Sequence, residues 1–206
     1  MKRLTLLFAA VIFSLLSSQT QADLIIEFSD GNAIGNVFTA AVGSVVTIDV
    51  FVTETGGNTE LSSDGLRGFG LDASYGATSG VSAVVTANSV DSSFPFVNDD
   101  AFDNANLKLA GVTFGTPPQG TSIGLGQFSV SVSDIGVTEF SFGDYNPNPT
   151  TDDFVTPSGS KLDPILFAGG RTFDFSISAV PEPTTALMFG SAALGMLAPR
   201  RRKRNS

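Results

Sequence analysis

The densest group of side chains that could do chemistry is an acidic stretch near the middle of the chain, residues 98–106 (NDDAFDNAN). Calcium binds six to eight carboxylate, amide and carbonyl oxygens. Asp99, Asp100 and Asp103 are therefore predicted as calcium ligands, and no other cofactor is predicted. The spacing differs from that of the EF-hand loop, which also requires a glutamate at its twelfth position. The alternative is a solvated loop whose Asx side chains hydrogen-bond their own turns.

Enzymatic chemistry is restricted by what the chain lacks, since it contains no His and no Cys. This excludes Ser-His-Asp and Cys-His catalysis and the common zinc sites. Carboxylate pairs such as Asp99 with Asp103, or Asp152 with Asp153, could serve glycoside hydrolysis. Among 20 acidic residues such pairs arise by chance, so we predict that the protein is not an enzyme.

Glycan binding usually relies on exposed aromatic rings, and this chain has no Trp and two tyrosines. Tyr145 lies in a loop rich in Pro and Asn and is the better exposed candidate of the two. The alternative is that its ring packs over the prolines of the same loop.

A signal of another kind occupies residues 180–206. Val180-Pro181-Glu182-Pro183 is followed by an uncharged stretch, residues 186–198, and by five consecutive basic residues, 200–204. The prolines keep their segment extended. As a helix the uncharged stretch rises about 20 Å, short of the ~30 Å bilayer core. We predict a short transmembrane helix over residues 184–199, with the long basic side chains reaching the headgroups. The alternative is a buried C-terminal helix of a soluble domain.

These three parts, in this order, resemble the PEP-CTERM sorting signal of exported proteins from Gram-negative, exopolysaccharide-making bacteria. The resemblance implies recognition and cleavage by an exosortase, an integral-membrane protease with a catalytic cysteine. A permanent tail anchor without cleavage is the alternative. The residues that carry the resemblance are Val180, Pro181, Glu182, Pro183, Arg200, Arg201, Arg202, Lys203 and Arg204.

The N-terminus carries a matching export signal, residues 1–22. Lys2-Arg3 precedes a largely apolar run, residues 4–16, and Thr20-Gln21-Ala22 places small residues at positions −3 and −1 of a cleavage site. We predict cleavage between Ala22 and Asp23. The positive-inside rule places both terminal basic clusters on the cytoplasmic side. The body between them is therefore predicted to lie on the other, non-cytoplasmic side of the inner membrane. The predicted location is an inner-membrane-anchored intermediate, then the cell surface or the extracellular space.

The exported body, predicted as one domain over residues 23–179, is strongly acidic. All 20 acidic residues lie within residues 23–183, whereas only four of the 11 basic residues do, which gives 4 − 20 = −16. Nucleic acid is thereby excluded as a partner, because phosphate binding needs basic patches. Those four basic residues are Arg67, Lys108, Lys161 and Arg171.

The body shows the two-residue period of half-buried strands. Apolar residues alternate with polar ones in residues 46–52, 128–133, 139–142 and 173–178. Further strands are predicted over residues 24–28, 69–75, 81–86 and 107–114. No segment of the body has a sustained helical period, so we predict an all-β antiparallel β-sandwich with seven to ten strands and no helix. The 18 Phe residues are predicted to supply much of its core.

Three strands resemble those of cohesin-like or carbohydrate-binding β-sandwiches, which are modules of bacterial surface proteins. They are residues 42–50 (VGSVVTIDV), 68–75 (GFGLDASY) and 125–130 (LGQFSV), and Gly76-Ala77 stands where the family usually has Asp-Pro. The resemblance implies a β-sandwich of jelly-roll or cohesin-like type.

Taken together, the predicted function is that of an exported surface or matrix protein, processed by an exosortase. Its role in exopolysaccharide or biofilm is structural or binding, with exopolysaccharide or matrix proteins as partners. The alternatives are a permanently tail-anchored envelope protein and a secreted calcium- or glycan-binding module.

Overall fold

The computed structural model describes residues 23–57, 59–79, 83–103, 105–146 and 153–182. Those residues form ten strands, two one-turn helices and a 3₁₀ turn at Ala168–Gly170. The strands are β1 (Asp23–Ser29), β2 (Val37–Ala41), β3 (Val45–Thr55), β4 (Gly68–Ser79), β5 (Ala83–Val90), β6 (Phe96–Asp99), β7 (Asn106–Val112), β8 (Ser122–Val132), β9 (Gly136–Asp144) and β10 (Phe173–Val180). The helices are α1 (Glu60–Ser63) and α2 (Asp163–Leu166).

The strands form two sheets, which confirms the predicted β-sandwich. The first sheet has the order β1-β3-β8-β5 and the second the order β2-β10-β9-β4-β7-β6. Alternating strand residues point inward, as Leu24, Ile26 and Phe28 of β1 do. Each sheet therefore buries one face and leaves an outer face toward solvent.

The prediction of a purely antiparallel sandwich is wrong at one strand pair, because β2 runs parallel to β10. The chain leaves the first sheet at the end of β1 and enters the second as β2. The turn between them is built by Asp30, whose Oδ1 accepts the N–H groups of Asn32 and Ala33 at 2.9 and 3.0 Å, while Gly31 adopts φ 82°. Because the chain crosses from one sheet to the other between β1 and β2, β2 does not form a hairpin with β1. It pairs with β10 instead, in parallel orientation.

Several strand boundaries and the absence of helix were also predicted wrongly, and β2 and β6 were not predicted. Strand β5 continues to Val90, and β7 ends at Val112, leaving the Phe114 ring exposed beyond it. The helices are single turns, too short to give a helical period in the sequence; in α2, Pro164 occupies the first turn, where its missing N–H costs nothing.

Phenylalanine rings fill the space between the sheets, as predicted. Phe128 of the first sheet lies 5.6 Å from Phe140 and 5.9 Å from Phe142 of the second, measured between ring centroids. Phe140 in turn stacks on Phe175 at 4.7 Å and an interplanar angle of 3°. Each fully buried ring contributes about 1.5–3 kcal/mol by leaving water. The buried Phe residues are Phe28, Phe38, Phe69, Phe94, Phe128, Phe140, Phe142, Phe154, Phe167, Phe173 and Phe175.

The segment from Asp153 to Phe167 packs at one end of the sandwich, with Phe154, Leu162, Leu166 and Phe167 buried in the core. Val155 forms a bridge to Gly68, with its N–H donating to the Gly68 carbonyl at 3.1 Å. At Gly70 a Cβ would lie 2.9 Å from the Cβ atoms of both Asp153 and Tyr145. Glycine is therefore required at Gly70. Beyond it, the outer-face residues Ser74, Gly76 and Glu139 are exposed with respect to the described part of the chain.

Candidate functional site

The uncovered part of the outer face of the six-stranded sheet contains a depression of about 750 Å³. Its floor is one row of residues across four paired strands, in the order Gly76, Glu139, Ser176 and Val37. The side chains beside Glu139 are small or absent, which leaves this carboxylate accessible in the middle of the sheet. A Cβ at Gly76 would meet nothing within 4 Å, so this glycine opens the depression without being required for the backbone.

A second row of polar residues completes the floor. Ser141 of β9 pairs with Ser74 of β4 on one side and with Asp174 of β10 on the other. The Ser141 hydroxyl donates to Asp174 Oδ1 at 2.6 Å. The depression thus offers hydroxyl groups and two carboxylates, and among the described residues no cationic side chain lines it. Such a surface is suited to hydroxyl-rich or positively charged ligands.

A charged network lies beside the depression on β4, β6 and β7. Lys108 pairs in register with Asp72, and its Nζ lies 3.7 Å from Asp99 Oδ2. The Tyr145 hydroxyl donates to the same Asp99 oxygen at 3.0 Å, and Lys108 Nζ lies 5.2 Å from the centroid of the Tyr145 ring. One cation is therefore shared by two carboxylates and an aromatic ring.

The pKa values in this network follow from burial and charge. Burial acts to raise the pKa of Asp99, but the Ala101 N–H, the Tyr145 hydroxyl and the Lys108 charge outweigh it, so this pKa lies below its ordinary value. Burial raises the pKa of Asp72, with Lys108 opposing the effect. The hydrogen bond to Asp99, followed by burial, raises the pKa of Tyr145. Asp99 is thus held as the ionised partner of Lys108.

The three predicted calcium ligands do not share one network. Asp99 faces Lys108 and Tyr145, whereas the Asp103 carboxylate folds back on its own loop and accepts the N–H groups of Ala105 and Asn106, both at 2.7 Å. These backbone hydrogen bonds lower the pKa of Asp103. The Asp103 carbonyl also accepts a hydrogen bond from the Tyr75 hydroxyl. Within the described ranges no three carboxylates, His or Cys are gathered in a way that would hold a metal ion. Calcium binding stays a prediction.

Tyr145 is half-buried. Its hydroxyl donates to Asp99, and its ring contacts the Lys108 ammonium group. In the alternative interpretation its ring packs over the loop prolines, but Pro147 and Pro149 lie outside the described residues, as does Asp152 of the second carboxylate pair. Tyr145 is therefore better placed to position Asp99 and Lys108 than to stack on a sugar.

Asp163 is a buried carboxylate that was not predicted from the sequence. It begins α2, is only 7% exposed, and accepts the N–H groups of Asp153 at 2.5 Å and Phe154 at 3.1 Å. Burial raises its pKa to about 7, the two N–H groups oppose this, and the charges of Asp144 and Asp153 add to it. Both of its oxygens are used by backbone, so it fixes the segment that crosses Gly70. The sequence carried no signal beyond an Asp-Pro pair, which is common at helix starts.

The predicted processing points lie at the edges of the described body. Asp23 is the first residue of β1, and its carboxylate binds the Arg171 guanidinium at 3.0 Å. Val180 is the last residue of β10, and its carbonyl accepts the Val42 N–H at 2.9 Å. Ala22, Pro183 and the basic cluster at 200–204 lie outside the described residues, as does the predicted helix over 184–199. In the part of the chain that is described, no helix is long and apolar enough to cross a membrane.

No protein-family model and no curated protein matches the sequence. Solved structures do match. The solution structure of CaCohA2 from Clostridium acetobutylicum has a TM-score of 0.51 and 9% identity, covering 79% of this chain and 94% of that one. A chain from a type I cohesin–dockerin complex of Clostridium thermocellum has a TM-score of 0.51 and 10% identity, covering 77% and 99%. The fold of the sandwich is therefore cohesin-like.

Proposed function

We propose that this chain is an exported cell-surface or matrix protein with a non-enzymatic binding module, whose C-terminal segment is a sorting signal processed by an exosortase. One observation carries the proposal. The described strands run from Asp23, directly after the predicted signal cleavage, to Val180, directly before Pro181. All buried hydrophobic residues of the described core lie between these two positions, that is, between the two predicted sorting segments.

The binding role is proposed for the depression on the outer face of the six-stranded sheet. The similar Clostridium thermocellum structure is of a cohesin–dockerin complex, which makes protein binding the first analogy for the fold. The depression itself presents hydroxyl groups, Glu139 and Asp174, with no opposing cation among its lining residues. An exopolysaccharide or a basic matrix protein fits this surface.

A single substitution can test the depression without disturbing the fold. Gly76→Phe places a ring over Glu139 in a position where no neighbour lies within 4 Å of the new Cβ. We expect binding to the producing cells' purified exopolysaccharide, or to their matrix proteins, to weaken at least tenfold. The matched control is Thr47→Phe on the exposed outer face of the other sheet, which should bind as the unmodified protein does. Equal loss in both variants, or in neither, would remove this face as the binding site.

The processing role is tested separately, on the protein recovered outside producing cells that contain or lack an exosortase. With the protease, the protein should end upstream of Ala186. Without it, the full-length chain should stay in the inner-membrane fraction. A permanently anchored protein would instead be full-length in the membrane of both strains.

A further inference from the structure

The outer face of the four-stranded sheet carries a second cleft, of about 360 Å³, which we call the Phe51 cleft. It lies where β3 and β8 meet the end of β5, on the opposite side of the sandwich from the depression. Its volume is in the range of small-molecule sites, about 300–1,000 Å³. The aromatic and polar side chains that line it belong to Asp49, Phe51, Ser89, Asp91, Ser92 and Gln127.

The register of three strands places an aromatic ring beside a row of polar groups. Asp49 of β3 pairs with Gln127 of β8, which pairs in turn with Ser89 of β5. Phe51 lies two residues beyond Asp49 on the same strand and therefore on the same face of the sheet. Its partner on β8 is Gly124, so the Phe51 ring has no side chain opposite it on that strand.

A β-bulge in β8 joins the end of β5 to this part of the sheet. The pairing changes from Val50 with Gly126 to Phe51 with Gly124, which leaves Leu125 as the extra residue. The Leu125 carbonyl accepts the Asp91 N–H at 2.9 Å. The residue that follows β5 is thereby held beside the Phe51 ring, and bulges are often found next to functional sites.

Asp91 is fixed by its own turn with one carboxylate oxygen left over. Its Oδ1 accepts the Ser93 N–H at 2.8 Å, whereas Oδ2 accepts no hydrogen bond from the described residues. A Cβ placed on Gly124 would lie 3.7 Å from Asp91 Oδ2 and 3.8 Å from Phe51 Cε1. Gly124 therefore leaves a notch between a carboxylate oxygen and an aromatic ring, and a ligand group in this notch contacts both.

The charges around the notch favour a cationic group. Within the described ranges no basic residue lines the cleft, whereas Asp49 and Asp91 both do. An acidic ligand is disfavoured, because it meets groups of like charge. A protonated amine can donate to the carboxylate and is also attracted by the aromatic ring.

The remaining lining favours a sugar over a lysine side chain as the carrier of that amine. A lysine presents an aliphatic stem, which needs apolar surface along its length. Beside the Phe51 ring the cleft offers instead an amide at Gln127 and hydroxyl groups at Ser89 and Ser92. A pyranose ring combines C–H groups that can contact an aromatic ring with hydroxyl groups that can pair with such polar side chains.

We propose that the Phe51 cleft binds one pyranose unit that carries a protonated amine, that is, an amino sugar. The amine lies in the notch at Gly124, between Asp91 and the Phe51 ring, and the sugar hydroxyls bind Gln127 and the two serines. This site is on the other sheet from the depression. Its occupation therefore depends neither on what the depression binds nor on the sorting signal.

The ligand class is tested by nuclear magnetic resonance titration of the full chain, residues 23–206, in a detergent without a sugar headgroup. The probe is D-glucosamine. It is compared with D-glucose, which has the ring without the amine, and with Nα-acetyl-lysine amide, which has the amine without the ring. Glucosamine should bind more tightly than either by about tenfold or more, as expected for one hydrogen bond to a charged group. Equal binding of glucose or of the lysine probe would overturn the proposal.

Two substitutions locate the site. Gly124→Leu fills the notch, and its Cβ makes only ordinary contacts at 3.7–3.9 Å, so it should weaken glucosamine binding about tenfold or more while the chain still folds. Asp91→Asn keeps the acceptor for the Ser93 N–H but removes the charge. It should lower the affinity for glucosamine to that for glucose and leave glucose binding unchanged.

The matched control is Gly143→Leu, a strand glycine on the outer face of the other sheet whose Cβ would also make ordinary contacts, at 3.9–4.0 Å. It should bind glucosamine as the unmodified protein does. If neither Gly124→Leu nor Asp91→Asn changes glucosamine binding, the cleft is not the site. If Gly76→Leu weakens that binding and Gly124→Leu does not, the amino sugar occupies the depression, and the cleft assignment is overturned while the proposed function stands.

Discussion

The buried carboxylate of Asp163 makes a specific prediction about stability and pH. Its pKa is raised from 3.8 to about 7 because burial disfavours the charged form. The folded protein therefore keeps this proton to a higher pH than the unfolded chain does. A group of this kind stabilises the fold most fully below its unfolded pKa, and that contribution is lost as pH rises through the folded pKa.

The size of the effect follows from the shift. About three pKa units at ~1.36 kcal/mol each correspond to roughly 4 kcal/mol, with little solvent screening because the side chain is only 7% exposed. Asp163→Asn cannot ionise but can still accept a backbone N–H. Relative to this variant, the unmodified protein should lose up to roughly 4 kcal/mol of unfolding free energy between pH 4 and pH 7, and nothing more above that.

Urea unfolding followed by circular dichroism at a series of pH values measures this difference directly. Any fixed cost of replacing one carboxylate oxygen by an amide is independent of pH, so only the slope matters. Asp103→Asn provides a control of opposite sign, because backbone N–H groups lower the pKa of Asp103. Its stabilisation is present above pH 4 and is lost as pH falls below that. A pH-independent difference for Asp163→Asn would refute the account of its burial.

Three further predictions concern packing and ligands. Gly70→Ala should cost about 1–3 kcal/mol, because its Cβ would overlap Asp153 and Tyr145, whereas Gly76→Ala should change stability by under about 0.5 kcal/mol; urea unfolding of the pair compares them. Phe128→Ala should cost about 3–5 kcal/mol in the same assay, since its ring joins the two sheets, and a loss below 1 kcal/mol would contradict that role. If Asp99, Asp100 and Asp103 bind calcium, titration with millimolar calcium should release or absorb heat and raise the melting temperature; the absence of both would contradict the calcium prediction.

Much of the sandwich was predictable because local pattern and global fold agree. The alternation of Phe173, Phe175 and Ile177 with polar residues predicted β10 and its buried face, since one side of that strand packs on the core. The parallel pairing of β2 with β10 was not predictable, because alternation does not encode which strand lies beside which. The end of β7 was missed since Phe114 continues the apolar pattern although its ring is exposed.

The candidate site was harder to predict than the fold. The acidic stretch at 98–106 suggested that Asp99 and Asp103 act together, but strand pairing brings Asp99 to Lys108 and Tyr145 instead. The depression exists because side chains beside Glu139 are small or absent, above all at Gly76. A glycine in a strand is not a sequence motif, so the depression could not be predicted. Only the register of three strands shows that Gly76, Glu139 and Ser176 form one row.

We propose that a cohesin-like body is exported, and that the N-terminal export signal and the C-terminal sorting signal are both removed by cleavage. Intact mass measurement of the protein recovered outside the producing cells tests it most directly. The account predicts a chain that starts at Asp23 and ends between Val180 and Ala186. Extracellular protein that still carries Arg204 would contradict it.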